Sequence, residues 1–176
     1  KGITIEGAVN AGGIAGSLEG ISVYELGNFN GTIGGSIVGS AARNIVISKS
    51  ETAGGIAGLT TSNSSSAKIR SCYAANLMLN GTKSSGSISG GDYGLAYSHT
   101  IAYCIVDDTN SYDYIGGDKQ RSTLNTVILK VPYSGFTVDG VLSVLNNTGS
   151  GYTGWERSDG VFDGYAYPGK VAEILK

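Results

Sequence analysis

The chain has 176 residues, enough for one domain, and its hydrophobic content of 40% is sufficient for a packed core. A net charge of −2 with only 15% charged residues provides no basic patch that could neutralise phosphates, so we expect no nucleic-acid partner. No run of 18 apolar residues is present, and we therefore expect no membrane span in this sequence.

Glycine organises the chain. Its 29 glycines follow no three-residue period, which excludes collagen, and they cluster between apolar stretches. The six residues Ala11–Gly16 recur unchanged as Ala53–Gly58, and Ile33–Gly39 is a related copy with one extra residue. Tyr93–Tyr97 and Tyr114–Gly117 resemble decayed copies. Such self-similarity is typical of repeat architectures.

The spacing of these copies predicts a short repeat. The interval from Gly13 to Gly35 nearly equals that from Gly35 to Gly55, which indicates a repeat of about 20 residues. Between the copies lie short stretches rich in β-branched residues and bounded by Gly, Asn and Ser, which predicts strands. They are Ile3–Ile5, Ile21–Val23, Ile45–Ile47, Leu77–Leu79, Ile101–Ile105 and Val127–Leu129.

These strands are too short to bury a face alone, but turns of about 20 residues can stack on one another. The pattern therefore predicts an all-β fold, a parallel (right-handed) β-helix or β-solenoid with glycines at its corners. The expected inward ladder consists of Ile14, Ile37, Ile56 and Leu95. A β-sandwich with glycine-rich hairpins is the alternative, although it would not explain the repeated six residues.

The Gly-Gly-Ile-Ala-Gly element, followed by Ile69–Ala74, resembles the GLUG repeat of large bacterial surface and secreted proteins. The resemblance is strongest from Ala53 to Ala74 and covers roughly Gly2 to Asp118. The first turns lack the Cys-Tyr pair of the family pattern, and Tyr93 stands where that pattern has Gly. The structural repeat positions are Gly12, Gly13, Ile14, Gly16, Gly34, Gly35, Gly54, Gly55, Ile56, Gly58, Cys72, Tyr73, Gly94 and Cys104.

The resemblance implies a non-enzymatic β-helical module for cell adhesion, or a stalk, located outside the cell or on the bacterial outer membrane. Its expected partners are host glycans or extracellular proteins, with no cofactor. The chain also opens in a strand-like pattern at Lys1-Gly2-Ile3. We therefore expect a processed or recombinant piece of a longer protein.

The last part of the chain differs from the repeats. Residues 1–137 are predicted to form the repeat array and 138–176 a cap, because an open end of the array would expose its core and a sheet edge. Asp139 is expected to cap a short helix from Gly140 to Asn146. Aromatic residues follow, and the predicted anchors of the cap are Trp155, Tyr167 and Pro168. For Trp155 the alternative is a platform for stacking a glycan.

The chain has two cysteines, Cys72 and Cys104, which lie far apart in sequence without a CxxC partner, so we expect no zinc site. Equivalent strand positions would bring them together in the interior. Both a disulfide and a pair of buried thiols fit the strand spacing of about 4.8 Å, and buried thiols are favoured.

Acidic residues supply the one enzymatic hypothesis. Asp107-Asp108, Asp113 and Asp118 precede Arg121 within one turn, and carbohydrate-active β-helices of the polysaccharide lyase or hydrolase type use such groups. The competing interpretation is a solvated loop. The only histidine, His99, is expected in a surface loop, and no catalytic or metal-ligating residue is predicted. Candidate binding residues are Asp107, Asp108, Tyr112, Asp113 and Tyr114.

Overall fold

The computed structural model describes residues 3–25, 28–62, 68–94, 100–107, 111–117, 123–124, 128–131, 139–150, 153–157 and 166–168. Strands predominate, and the predicted all-β class is confirmed. The first eight strands are β1 (Ile3–Glu6), β2 (Asn10–Gly12), β3 (Ala15–Glu25), β4 (Asn28–Gly34), β5 (Ser36–Val38), β6 (Ala41–Gly54), β7 (Ala57–Ser62) and β8 (Lys68–Arg70).

The second half contains strands and a short helical segment. The strands are β9 (Tyr73–Gly86), β10 (Asp92–Gly94), β11 (Thr100–Ala102), β12 (Cys104–Asp107), β13 (Thr123–Leu124), β14 (Ile128–Val131), β15 (Trp155–Arg157) and β16 (Ala166–Pro168). Helix α1 (Asp139–Leu145) agrees with the predicted helix after Asp139, and a 3-10 turn follows at Thr148–Ser150. No described helix has the length and apolar character needed to cross a bilayer.

Three sheets are built from strands that return in the same order. The largest sheet, sheet A, runs β1-β6-β9-β12-β14, with β2 also paired to β6. Sheet B runs β10-β7-β3-β4, and sheet C runs β13-β11-β8-β5. The chain therefore visits A, B and C and then returns to A. We call each such circuit a pass.

From β5 to β12, the strands of successive passes pair in parallel at a nearly constant offset of about 32 residues. Tyr73 lies midway in sequence between its two partners, Ala41 and Ile105, and Ile69 lies at the same offsets from its partners Ile37 and Ile101. A β-sandwich made of hairpins would need antiparallel pairs throughout, so the parallel register excludes it for these sheets. Parallel sheets thus form the body of the described fold.

The predicted repeat length is wrong. In sheets A and B, the sequence separation between partners is 42 from the first pass to the second and 32 from the second to the third. In sheet A this is shown by the bonded pairs Asn10–Thr52 and Asn44–Asn76. The extra length of the first pass contains a hairpin in which the second half of β3 pairs antiparallel with β4. Because of this insertion, the copy at Ile33–Gly39 lies about midway in sequence between the other two copies. It does not occupy the same position in the fold as they do.

Three predicted repeat glycines consequently lie outside the repeated corner. Gly34 pairs with Gly20 in the hairpin, Gly35 follows it, and Gly94 pairs with Ser62 in sheet B. Ile37 belongs to sheet C, where Ile69 is its partner, rather than to a ladder with Ile14 and Ile56. Leu95, the last predicted member of that ladder, lies outside the described residues.

A corner between sheets A and B does repeat as predicted for the two identical motifs. Ala11 pairs with Ala53 and Ala15 with Ala57. The carbonyl of Ile56 accepts hydrogen bonds from the backbone N–H groups of Ile14 (3.0 Å) and Ala15 (3.1 Å). In the next pass the carbonyl of Ile88 accepts from Ile56 and Ala57, both at 2.9 Å. Ser85–Gly90 is therefore a further copy, which the sequence pattern did not reveal.

Glycine is required at this corner because successive passes touch through their backbones. A Cβ on Gly54 would overlap the carbonyl oxygen of Ala57 and come within 2.6 Å of the Gly90 nitrogen. Gly12 and Gly86 have the same surroundings in their own passes. Real Cβ atoms do not approach backbone atoms this closely, so these glycines are sites of close approach.

The interior between the sheets is aliphatic. Alternation along the strands sends Ile45 and Ile47 inward, while Met78 of the neighbouring strand points out and is 64% exposed. The buried cluster continues through every pass, and its largest fully buried side chains include Ile45, Ile47, Ile56, Ile69, Ile88, Ile101 and Val106.

The predicted cap segment 138–176 packs, where described, against the side of sheet A. Trp155 is 3% exposed, and its ring lies 5.3 Å from that of Tyr73. Its indole N–H donates to the Ser71 carbonyl (3.0 Å) and hydroxyl (2.7 Å). Trp155 is thus a buried anchor rather than an exposed platform. Tyr167 and Pro168 lie in β16, which pairs with β15.

Candidate functional site

Asp107 ends β12 and is buried at 3% exposure. Its Oδ2 atom accepts a hydrogen bond of 3.0 Å from the backbone N–H of Asn76. Asn76 has a φ of 51°. Its side-chain amide donates a hydrogen bond of 2.7 Å to Oδ1 of Asn44, which lies one pass earlier and has a φ of 56°. The carboxylate therefore supports a left-handed bend in the neighbouring strand.

Tyr112 lies beyond the end of β12 and completes the hydrogen bonding of β9. Its hydroxyl accepts from the backbone N–H of Leu79 (2.9 Å) and donates to the Leu79 carbonyl (3.0 Å). The ring packs against the aliphatic core. One side chain thus satisfies both the N–H and the C=O group of Leu79. Without it these two backbone groups would lack this partner, and leaving backbone groups unsatisfied lowers the free energy of unfolding.

Asp113 and Tyr114 are held mainly through their backbones. The Asp113 carbonyl accepts from the backbone N–H (2.7 Å) and hydroxyl (3.0 Å) of Ser87. The Tyr114 carbonyl accepts from Ile88 (2.9 Å) and Ser89 (3.1 Å), which repeats the corner geometry of earlier passes. The Asp113 side chain is exposed and that of Tyr114 is half-buried.

Lys130 joins these residues, and the sequence interpretation missed it. It lies in β14, paired with Val106, and its Nζ donates to the Tyr112 carbonyl at 3.3 Å. The same nitrogen stands 5.3 Å from the ring centroid of Tyr114, within cation–π range. We call Tyr112, Asp113, Tyr114 and Lys130 the Tyr114 patch. Only the parallel register could reveal that Lys130 belongs to it.

The predicted acidic residues do not act alike. Asp107 faces the Asn76 backbone from a buried position, whereas the Asp113 side chain is at the surface. Asp108, Asp118, Arg121 and His99 lie outside the described residues. Among the residues that the structure does describe, no three His, Cys, Asp or Glu side chains come together to hold a metal ion.

Cys72 and Cys104 occupy equivalent positions in neighbouring passes, as free and buried thiols. Each Sγ lies near a carbonyl of the preceding pass, that of Ile37 for Cys72 and that of Ile69 for Cys104, both at 3.6 Å. Burial, and secondarily the neighbouring Cys72 thiol, raises the pKa of Cys104 well above its usual value. The thiol form is therefore favoured, which makes Cys104 a weak nucleophile.

Comparisons with models of known protein families, with curated proteins and with solved structures give no match. The geometry itself places the ammonium group of exposed Lys130 over the half-buried ring of Tyr114 at the surface. Such a surface can bind a polar ligand by stacking and charge.

Proposed function

We propose that the chain is a non-enzymatic bacterial cell-surface module, a right-handed parallel β-helix of GLUG type that acts in adhesion. Each pass forms one turn of this β-helix, and the segment 138–176 closes it from the side. The observation that carries the proposal is the repeated corner, where Ile56 and Ile88 accept the same pair of hydrogen bonds in successive passes. A stacked array of this kind is a stiff scaffold with a long lateral surface.

The buried role of Asp107 supports a binding module over a polysaccharide lyase or hydrolase. General acid and base catalysis needs two groups that reach the same bond of the substrate. The Asp107 carboxylate instead bonds to the Asn76 backbone inside the fold. In this proposal Asp107 has a structural role, and no residue has a catalytic role.

We assign adhesion to the Tyr114 patch, and host glycans or extracellular proteins are the proposed ligands. Lys130 places a positive charge over the Tyr114 ring, and Asp113, the residue before Tyr114, is exposed. Sugars and protein surfaces both offer hydroxyl and carboxylate groups for such a patch. The location that fits this role is extracellular, or on the outer membrane surface, in a longer polypeptide.

An attachment assay tests the proposal. The chain would be displayed on cells that lack adhesins, and attachment to mucin and to extracellular-matrix proteins would be counted. We expect display to increase attachment, and Lys130→Ala to reduce it, while Met78→Ala on the exposed outer face leaves it unchanged. Equal attachment with and without the displayed chain would leave a stalk rather than an adhesin. Release of unsaturated products from polyuronates would favour the enzyme.

A further inference from the structure

Arg70 is a half-buried cation with few acceptors in the described part of the chain. It ends β8, and its guanidinium carries five N–H donors. Nη1 donates to the carbonyl of Gly149 at 3.4 Å, which is long for a hydrogen bond, and the buried Nε has no partner. No described carboxylate lies within ion-pair distance. Because taking a charge out of water is costly without a counter-charge, this guanidinium is suited to an anionic ligand.

Tyr103 brings a second polar group to the same place. It follows Ala102, the partner of Arg70 in the neighbouring strand, and its side chain is half-buried. A Cβ on Gly149 would lie 2.4 Å from the Tyr103 hydroxyl, so this hydroxyl packs against the residue that Arg70 contacts. It makes no hydrogen bond to the described residues. Both side-chain ends therefore meet at the turn Thr148–Ser150, where Gly149 is exposed.

The backbone conformation of Tyr103 is unusual for a tyrosine. Gly39, Ser71 and Tyr103 occupy equivalent positions between sheets C and A, with φ values of 61°, 51° and 56°. Glycine adopts this left-handed conformation without cost, whereas it is rare for a bulky residue. Ser71 makes a hydrogen bond of 2.6 Å from here to the Leu145 carbonyl. Strained residues cluster at binding sites, and Tyr103 holds its hydroxyl outside the sheets without such a bond.

We propose that Arg70 and Tyr103 form a binding site for the carboxylate of an acidic sugar, such as a uronic acid, at the turn Thr148–Ser150. A planar guanidinium matches a carboxylate and binds it through charge-assisted hydrogen bonds. The Nη groups of Arg70 donate to the carboxylate, and the Tyr103 hydroxyl donates to an oxygen of the sugar. The phenol ring offers an apolar surface to the C–H groups of the sugar. We call this pair the Arg70 site.

The Arg70 site shares no residue with the Tyr114 patch. Arg70 lies in sheet C beside the cap segment, whereas Lys130 of the Tyr114 patch lies in sheet A. The inference does not depend on the proposed adhesion, because it concerns the binding of a soluble sugar. A site with so few charge-assisted bonds binds weakly, and we expect a dissociation constant of about 1 mM.

Isothermal titration calorimetry with a hyaluronan hexasaccharide, which carries glucuronate carboxylates, tests the site. The control sugar is a chitin hexasaccharide, which has N-acetylated sugars but no carboxylate. We expect saturable binding of the first sugar and none of the second. Arg70→Gln should weaken binding at least about tenfold through loss of the charge-assisted bonds. Lys68→Gln is the matched control, because it removes an exposed charge from the same strand, and should change affinity less than about twofold.

Tyr103→Phe separates binding from stability. Because the hydroxyl has no hydrogen-bond partner among the described residues, the urea midpoint of unfolding should not change. The affinity for the hyaluronan hexasaccharide should fall about threefold or more, since the ligand loses one hydrogen bond. Gly149→Ala places a methyl group against the same hydroxyl at an exposed turn, and it should also weaken binding. Lys130→Ala should leave the affinity unchanged.

Four outcomes would overturn the proposal. The first is the absence of saturable binding of the hyaluronan hexasaccharide up to about 10 mM. The second is equal binding of the two sugars, and the third is equal weakening by Arg70→Gln and Lys68→Gln. The fourth is loss of binding in Lys130→Ala but not in Arg70→Gln, which would place the sugar at the Tyr114 patch instead.

Discussion

The second and third passes differ from the fourth in the hydrogen bonds that join each pass to its neighbour. Strands β6 and β9 each have 14 residues and pair along most of their length. In the fourth pass β12 is far shorter, and beyond its end the Tyr112 hydroxyl satisfies the backbone of Leu79. Regular passes are thus held by backbone ladders between glycines, whereas the shortened pass depends on side chains. Substitutions should affect the two regions differently.

The largest expected effect is in the regular passes, at Gly54. Gly54→Ala places a Cβ against the Ala57 carbonyl and within 2.6 Å of the Gly90 nitrogen, and neither backbone atom can rotate away. We expect the free energy of unfolding to fall by about 4 kcal/mol or more, as for severe overpacking. Urea denaturation followed by circular dichroism measures the change.

Gly16→Ala is the matched control in the first pass. A Cβ on Gly16 would lie 3.0 Å from the Asn10 carbonyl oxygen, at the exposed edge, where a small shift relieves the contact. We expect a loss of less than about 1 kcal/mol, as for an ordinary surface substitution. Equal losses for Gly16→Ala and Gly54→Ala would contradict the role assigned to the corner.

The next largest effect tests the shortened pass. Tyr112→Phe removes a hydroxyl and leaves the N–H and C=O groups of Leu79 without their partner. We expect a loss of about 2 kcal/mol, the usual cost of unsatisfied buried backbone groups. Tyr114→Phe is the control, since its hydroxyl makes no hydrogen bond to the described residues and its loss should be near zero. A stable Tyr112→Phe protein would show that water replaces the hydroxyl.

The sequence predicted the strands and the pairing of the two identical motifs, because both follow from local signals. β-Branched residues between glycines marked the strands, and Ala11–Gly16 does lie on Ala53–Gly58. It did not predict the length of a pass. A hairpin inserted before Gly35 makes the spacing of the glycine copies differ from the length of a pass. In addition, Ser85–Gly90 forms the same corner with serines in place of Gly55 and Ala57. A corner needs small residues, and serine satisfies that need as well as alanine.

The site was less predictable, for a physical reason. Tyr112, Asp113 and Tyr114 are neighbours in sequence, so their proximity was expected. Lys130 joins them only because β14 pairs with β12 at a shorter offset than the regular passes have. The burial of Asp107 follows from the bend at Asn76. Neither the shorter offset between β12 and β14 nor the positive φ of Asn76 can be recognised from a residue pattern in the sequence.

A smaller effect concerns Cys104, which lies where the fourth pass still keeps the regular register. The pKa of Cys104 in the folded protein is raised above the unfolded value of about 8.5. The buried thiol therefore makes its full contribution to the free energy of unfolding at pH values below about 8.5. It falls as the pH rises toward the folded pKa, by up to about 1.4 kcal/mol per pH unit. We expect the difference in unfolding free energy between wild type and Cys104→Ala to narrow by about 1 kcal/mol from pH 8.5 to 9.5. A constant difference would contradict burial of the thiol.

The smallest effect tests the bend that the regular passes share. Asn44 and Asn76 have φ values of 56° and 51° and are joined by a side-chain hydrogen bond of 2.7 Å. Asn76→Ala keeps a Cβ at positive φ and removes that bond, so we expect a loss of about 1 kcal/mol.

Asn76→Gly removes the same bond but accepts a positive φ without strain, and its loss should be a few tenths of a kcal/mol. Chemical denaturation of both variants measures the pair. Because Asp107 bonds to the Asn76 backbone and not to its side chain, that contact should survive in both. If Asn76→Gly proved as destabilising as Asn76→Ala, the loss would come from the side-chain hydrogen bond that both variants remove, and not from strain at the positive φ.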